Sequence, residues 1–188
     1  MGSGLLSVTV GNIAQIITER SRWTDLNIIR LAHAPPLKLI PRLSSGFRVL
    51  IRRCLSPILA VPGPVTELKR LLLAFDNSPK ANEALYVATY LADRWVMDLT
   101  VISTMKTPDK VTEAINQAKQ YLESHQVQAT YIQECGDAAE LILKTARERD
   151  ANLIVMGGYG SSLVVEAFAG STVDRVLANT TRPVLICK

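Results

Sequence analysis

Asn152-Leu153-Ile154-Val155-Met156-Gly157-Gly158-Tyr159-Gly160 decides the fold, read with the Gly170-Ser171 pair that follows it. Leu153 to Met156 is an unbroken apolar run, so both of its faces must be covered, as in a parallel strand between two helix layers. The run then breaks into glycines at the point where an open α/β sheet takes its ligands. Gly157, Gly160 and Gly170 let backbone N–H groups turn toward an anion without a Cβ in the way. Ser171 opens a helix through Val173, Val176 and Leu177, whose free amides and positive dipole end favour phosphate oxygens. The pattern is a phosphate cradle built from main chain. A G-x-G-x-x-G reading from Gly158 meets Leu163 at its last position, and no G-x-x-x-x-G-K-[ST] occurs in the chain.

Upstream, short β-rich runs alternate with longer runs of helical period. Lys69 to Phe75 reads as a buried strand that stops at Asp76-Asn77-Ser78-Pro79, with Ser78 as N-cap and Pro79 at the first helical position. Ala81, Ala84, Leu85, Ala88, Leu91 and Ala92 mark the inner stripe of the helix that follows. A second strand is expected at Leu99 to Thr104, a second helix on Val111, Ala114, Ile115, Ala118 and Leu122, and a strand near the sheet edge at Val127 to Glu134. Asp137 caps a third helix, with Glu140 placed for a capping box. Arg182 to Cys187 supplies the last strand.

The first 62 residues echo the last 60. Val10-Gly11-Asn12-Ile13-Ala14 parallels Cys135-Gly136-Asp137-Ala138-Ala139, Asp25-Leu26-Asn27-Ile28-Ile29 parallels Asn152-Leu153-Ile154-Val155-Met156, and Ser56-Pro57-Ile58-Leu59-Ala60 parallels Arg182-Pro183-Val184-Leu185-Ile186. The chain therefore reads as a complete unit over 67–188 and a partial, degenerate one over 5–62 that lacks its first two strands. Strand Leu5–Val10 is expected to slide into the vacant place or to pair with another chain, with Val61-Pro62-Gly63-Pro64 as linker. A larger parent, for instance a transporter carrying tandem domains of this kind, fits the missing strands.

The bulk numbers fit a soluble, cytoplasmic globular protein: 188 residues, 48% apolar and 20% charged. No run approaches a membrane span and no signal-peptide pattern opens the chain. Cys54, Cys135 and Cys187 show no C-x-x-C spacing, which argues against a zinc site and a disulfide framework. Residues 1–62 hold eight Lys/Arg against two acidic residues, and the remainder 13 against 15, so the net +4 conceals a basic first third. Those cations are interleaved with Leu, Ile and Val at helix spacing and lack aromatic partners, which reads as a solvated helix face and not as a nucleic-acid patch. His33 and His125 read as surface or capping residues, since neither has a partner at metal-ligand spacing.

The G-x2-G-x9-G-[ST] loop, the Phe75-Asp76-Asn77-Ser78 turn and the Arg-Pro-Val-Leu-Ile strand resemble the universal stress protein family. The resemblance implies a Rossmann-like, doubly wound parallel α/β sheet of five strands in the order 3-2-1-4-5. It also implies an adenine nucleotide (ATP, ADP or AMP, with Mg possible beside ATP) and a homodimer or an intrachain pseudo-dimer joined through strand five. By that similarity Asp76 would hold the ribose or adenine end, Ala74 and Thr104 would line the adenine, and Gly157, Gly160, Gly170, Ser171 and Thr172 would hold the phosphates. Two departures stand out: Asn77 where members often carry glycine, and a 161–169 stretch without Lys or Arg to neutralise a triphosphate tail. The expectation is a stress-response nucleotide sensor with no catalytic residues and no metal ligands of its own. Slow ATP hydrolysis and a ligand-free assembly domain are the alternatives.

Overall fold

The structure, a computed structural model, describes residues 4–31, 46–64, 67–159 and 171–188. In chain order the elements are α1 (Ile13–Arg20), β1 (Asn27–Arg30), α2 (Gly46–Arg53), β2 (Ile58–Val61), β3 (Arg70–Ala74), α3 (Pro79–Trp95), β4 (Asp98–Met105), α4 (Pro108–Ser124), β5 (Ala129–Cys135), α5 (Ala138–Glu148), β6 (Leu153–Gly157), α6 (Thr172–Asn179) and β7 (Val184–Cys187). The seven strands form one sheet in the order β1-β2-β7-β6-β3-β4-β5. Its last five members, read from β5, run 3-2-1-4-5 in the numbering of the complete unit, and all of those pairings are parallel. β5 ends the sheet, as its half-apolar alternation requires.

The elements form where local chemistry directs. β6 is buried along Leu153–Met156 because it lies inside the sheet between two apolar layers. Leu71, Leu73, Val101 and Val155 face the α3 and α4 side, while Leu72, Ile102, Ile154 and Ile186 face the α5 and α6 side. Ser78 accepts from the Ala81 N–H at 3.3 Å and Asp137 from the Glu140 N–H at 3.0 Å, so both expected N-caps form. The capping box does not close: the Glu140 carboxylate turns 3.4 Å from Arg175 Nη2 of α6, a charged partner outcompeting the backbone amide. His125 is the C-cap of α4, its ring against Tyr121.

β1 and β2 pair in parallel, and β2 then pairs antiparallel with β7, with Ile58 opposite Ile186 and Ala60 opposite Val184. The terminal strands of the two sequence echoes thus lie side by side. The echo extends to backbone detail. Gly11 and Gly136 have φ of +151° and +155°, and a Cβ on each would meet a δ-methyl 3.2 Å away, on Ile16 and Leu141 respectively. Asn12 caps α1 by accepting from Gln15 N–H at 3.1 Å, as Asp137 caps α5.

Two expectations fail. Leu5–Val10 makes no strand in the sheet: Leu5, Leu6, Val8 and Val10 are at least 87% exposed. Among the described residues, the strand beside which it would slide inward is missing, so its backbone has no ladder to join. The basic face of the first third is not uniformly solvated either, because Arg48 is only 3% exposed and sits beside Asp174. His33 lies outside the described residues. Among the described residues no helix is long and apolar enough to cross a membrane.

The cysteines separate by accessibility. Cys135 is exposed, Cys54 and Cys187 are buried, and burial, followed by the charge of Glu83, pushes the Cys187 thiol up to about 12. An aromatic disulfide reagent at pH 8 is expected to modify one thiol per native chain and all three after denaturation, because the thiolate is the nucleophile. Rapid modification of two would contradict this packing.

Candidate functional site

β3, β4 and β6 end at the same edge of the sheet, and where they end the chain leaves a cleft of about 330 Å³. That volume falls in the range of about 300–1,000 Å³ typical of small-molecule sites. Its floor and walls are largely apolar, with Ala74, Phe75, Ile102 and Met156 from the strands, Ala138 and Ile142 from α5, and Val173 from α6. Its polar groups come from Asp76 after β3, Thr104 at the end of β4, Tyr159, and Ser171 and Thr172 at the start of α6. Ala74, Asp76, Thr104, Gly157, Ser171 and Thr172, singled out in the sequence, all line it. Gly160 and Gly170 lie outside the described residues, as does the 161–169 stretch.

Each group has a local reason for its place. Asp76 Oδ1 accepts from the Ser78 N–H at 3.0 Å, which holds the turn and leaves Oδ2 without a partner among the described residues. Asn77 takes φ +62°, the left-handed conformation that glycine adopts most easily and that asparagine tolerates. Gly157 permits contact, since a Cβ there would lie 2.8 Å from the Lys80 carbonyl carbon and 2.9 Å from the Ala81 nitrogen. Ser171 is the N-cap of α6 and not its first residue. Its Oγ accepts from the Asp174 N–H at 3.1 Å and keeps its own proton to donate. Among the described lining residues there is one carboxylate and no Lys or Arg, and among the described residues no cluster of His, Cys, Asp and Glu is suited to a metal.

Tyr159 was not anticipated. It is 2% exposed, and its hydroxyl donates to Asp174 Oδ1. The Arg48 guanidinium lies 4.7 Å from its ring centroid. Nothing in the sequence around Tyr159 marks this role, because its partner comes from the other end of the chain.

The profile of the universal stress protein family matches residues 67–188. The chain belongs to the universal stress protein family. It is 28% identical over 125 residues to the stress response protein NhaX of Bacillus subtilis strain 168, covering 65% of this chain and 75% of NhaX. It is 27% identical over 145 residues to the universal stress protein YxiE of the same organism, covering 63% of this chain and 98% of YxiE. A universal stress protein structure from Archaeoglobus fulgidus superposes with a TM-score of 0.79 at 21% identity, over 93% of this chain and 64% of that one. The chain thus spans about two thirds of that protein. A universal stress protein solved in complex with cAMP superposes with a TM-score of 0.57 at 18% identity, over 64% of this chain and 97% of that one. At these identities the structural likeness is one of fold.

In this stress-protein domain the cleft is braced by an ion pair between its two flanking helices. Arg175 of α6 bonds Asp137, and that hydrogen bond, then the Glu140 N–H, holds the Asp137 carboxyl below its ordinary value while raising Arg175. A folded-state value below the unfolded one stabilises the fold above the unfolded value, and that contribution is lost as pH falls through the folded one. Asp137 is 41% exposed, so the pair is worth only about 0.5 kcal/mol after screening. Asp137→Asn keeps a good N-cap and is expected to flatten the stability profile below pH 4 in urea titrations. An unchanged acid slope would show that the pair is energetically silent.

Proposed function

We propose that the chain is an adenine-nucleotide-binding module of a stress response, acting as a sensor and not as a catalyst. One observation carries this reading: six residues spread from Ala74 to Thr172 converge on one cleft whose apolar part suits a base and whose other end is the start of a helix. The base would lie against Ala74, Ile102 and Met156, the ribose hydroxyls would donate to Asp76, and the phosphates would meet the Ser171 hydroxyl and the first amides of α6. The stress protein solved with cAMP supports an adenine nucleotide as the ligand class. Hydrolysis lacks support, since Asp76 is the one carboxylate among the described lining residues and no described group is placed as a general base.

The first 62 residues are, in this reading, a degenerate second unit, and the two units form an intrachain pseudo-dimer through their last strands. The β2–β7 pairing and the matched caps at Asn12 and Asp137 support it. Isothermal titration of the full chain with ATP, ADP and AMP tests the ligand. At least one is expected to bind, and Asp76→Ala to weaken it about tenfold or more, the value of a hydrogen bond to a charged group. Absence of heat with all three would sink the proposal.

A further inference from the structure

α2 belongs to the first 62 residues, yet its Arg48 is buried against the site of the second unit. Arg48 Nη1 lies 3.7 Å from Asp174 Oδ2, and both side chains are at most 3% exposed. The same guanidinium covers the Tyr159 ring, and the Tyr159 hydroxyl reaches the other oxygen of Asp174. Asp174 stands in the first turn of α6, and its N–H is held by Ser171 Oγ. Cation, phenol and carboxylate therefore form one buried cluster, and Tyr159 and Ser171 carry it to the wall of the cleft.

The electrostatics of that cluster bear on the ligand. The positive end of α6 favours an anion, but Asp174 already places a negative charge in the same field. A buried carboxylate is poorly screened and opposes a second anion within a turn or two of helix. Among the described residues the cleft lining holds no cation to offset it. Arg48, delivered from the other unit, does.

We infer that Arg48 is a positioning residue for the nucleotide site: by neutralising Asp174 and holding Tyr159, the incomplete first unit makes the cleft of the complete unit receptive to phosphate. The inference rests on the proposed nucleotide binding. It assigns the degenerate unit a function, since the site is then built from both.

The test is the affinity of the full chain for adenosine, AMP and ATP, measured by calorimetry in wild type, Arg48→Met, Asp174→Asn and the double variant, with circular dichroism to check folding. Arg48→Met is expected to leave adenosine within about twofold while weakening AMP about tenfold and ATP more, the scale of one uncompensated charge at a protein site. Asp174→Asn is expected to raise the ATP-to-adenosine affinity ratio several-fold, and the double variant to return it to within about threefold of wild type. Asparagine still accepts from Tyr159, so the cluster keeps its shape. If Arg48→Met fails to fold, Asp174→Asn alone decides, and an unchanged or lowered ratio overturns the inference. Equal losses for all three ligands, or no rescue in the double variant, also overturn it by reducing Arg48 to a packing role. A folded wild type that binds none of the three sinks the nucleotide reading itself, a separate outcome from wild-type binding that ignores Arg48.

Discussion

Ile58→Ala is expected to cost about 3 kcal/mol and to lower the melting temperature by roughly 6–12 °C, and to do so for the whole chain at once. Ile58 is 1% exposed on β2, opposite Ile186 of β7. It packs in a cluster that joins Leu50, Ile51 and Ala60 to Ile154, Met156 and Ile186. Removing its three terminal carbons leaves a cavity bounded by strands and helices of both units, which cannot collapse without moving the sheet. The buried thiols offer a reporter on each side, Cys54 after α2 and Cys187 at the end of β7. In a urea series their labelling is expected to rise at a common midpoint, shifted together by the substitution. Exposure of Cys54 well before Cys187 would mean that the first unit opens alone and that the shared core does not couple them.

Gly157→Ala is expected to cost about 2–3 kcal/mol, the upper range for forcing atoms into a packed region. The new Cβ would meet the Lys80 carbonyl carbon at 2.8 Å, the Ala81 nitrogen at 2.9 Å and the Lys80 oxygen at 3.0 Å. All three are backbone atoms in the first turn of α3, so no side chain can swing aside. The start of α3 must retreat, and with it the Asp76–Ser78 turn that forms one lip of the cleft. Nucleotide affinity is therefore expected to fall with stability, by about tenfold or more when positioning slips by a fraction of an ångström. Gly63→Ala is the control, since its Cβ would meet only the Thr181 oxygen at 3.9 Å. A change within about 0.5 kcal/mol is expected there. Equal stability of the two variants in urea titrations would refute the close-approach argument.

The alternation of buried strands and amphipathic helices over 67–188 was readable because each element carries its own signal. Ser78 and Asp137 accept from the amides that their helix starts expose, and Leu153–Met156 is apolar throughout because neighbours cover both faces. The cleft was half readable. Asp76, Gly157 and Ser171 follow strands or begin helices in the pattern of an open α/β sheet, so topology brings them together. Tyr159 carries no such signal, and Glu140, placed for a capping box, turns instead to Arg175.

By itself the sequence determined the local structure of this protein, its caps, its strand order within the complete unit and the residues that ring the cleft. These follow from periodicity and from groups within a few positions of one another. Only the tertiary structure decided that Leu5–Val10 stays outside the sheet, that β2 closes onto β7, and that Arg48 of the first unit lies buried on Asp174 and Tyr159 of the second. Local pattern marks an arginine on a helix as a solvated charge. A carboxylate brought to it from far along the chain is what makes burial affordable.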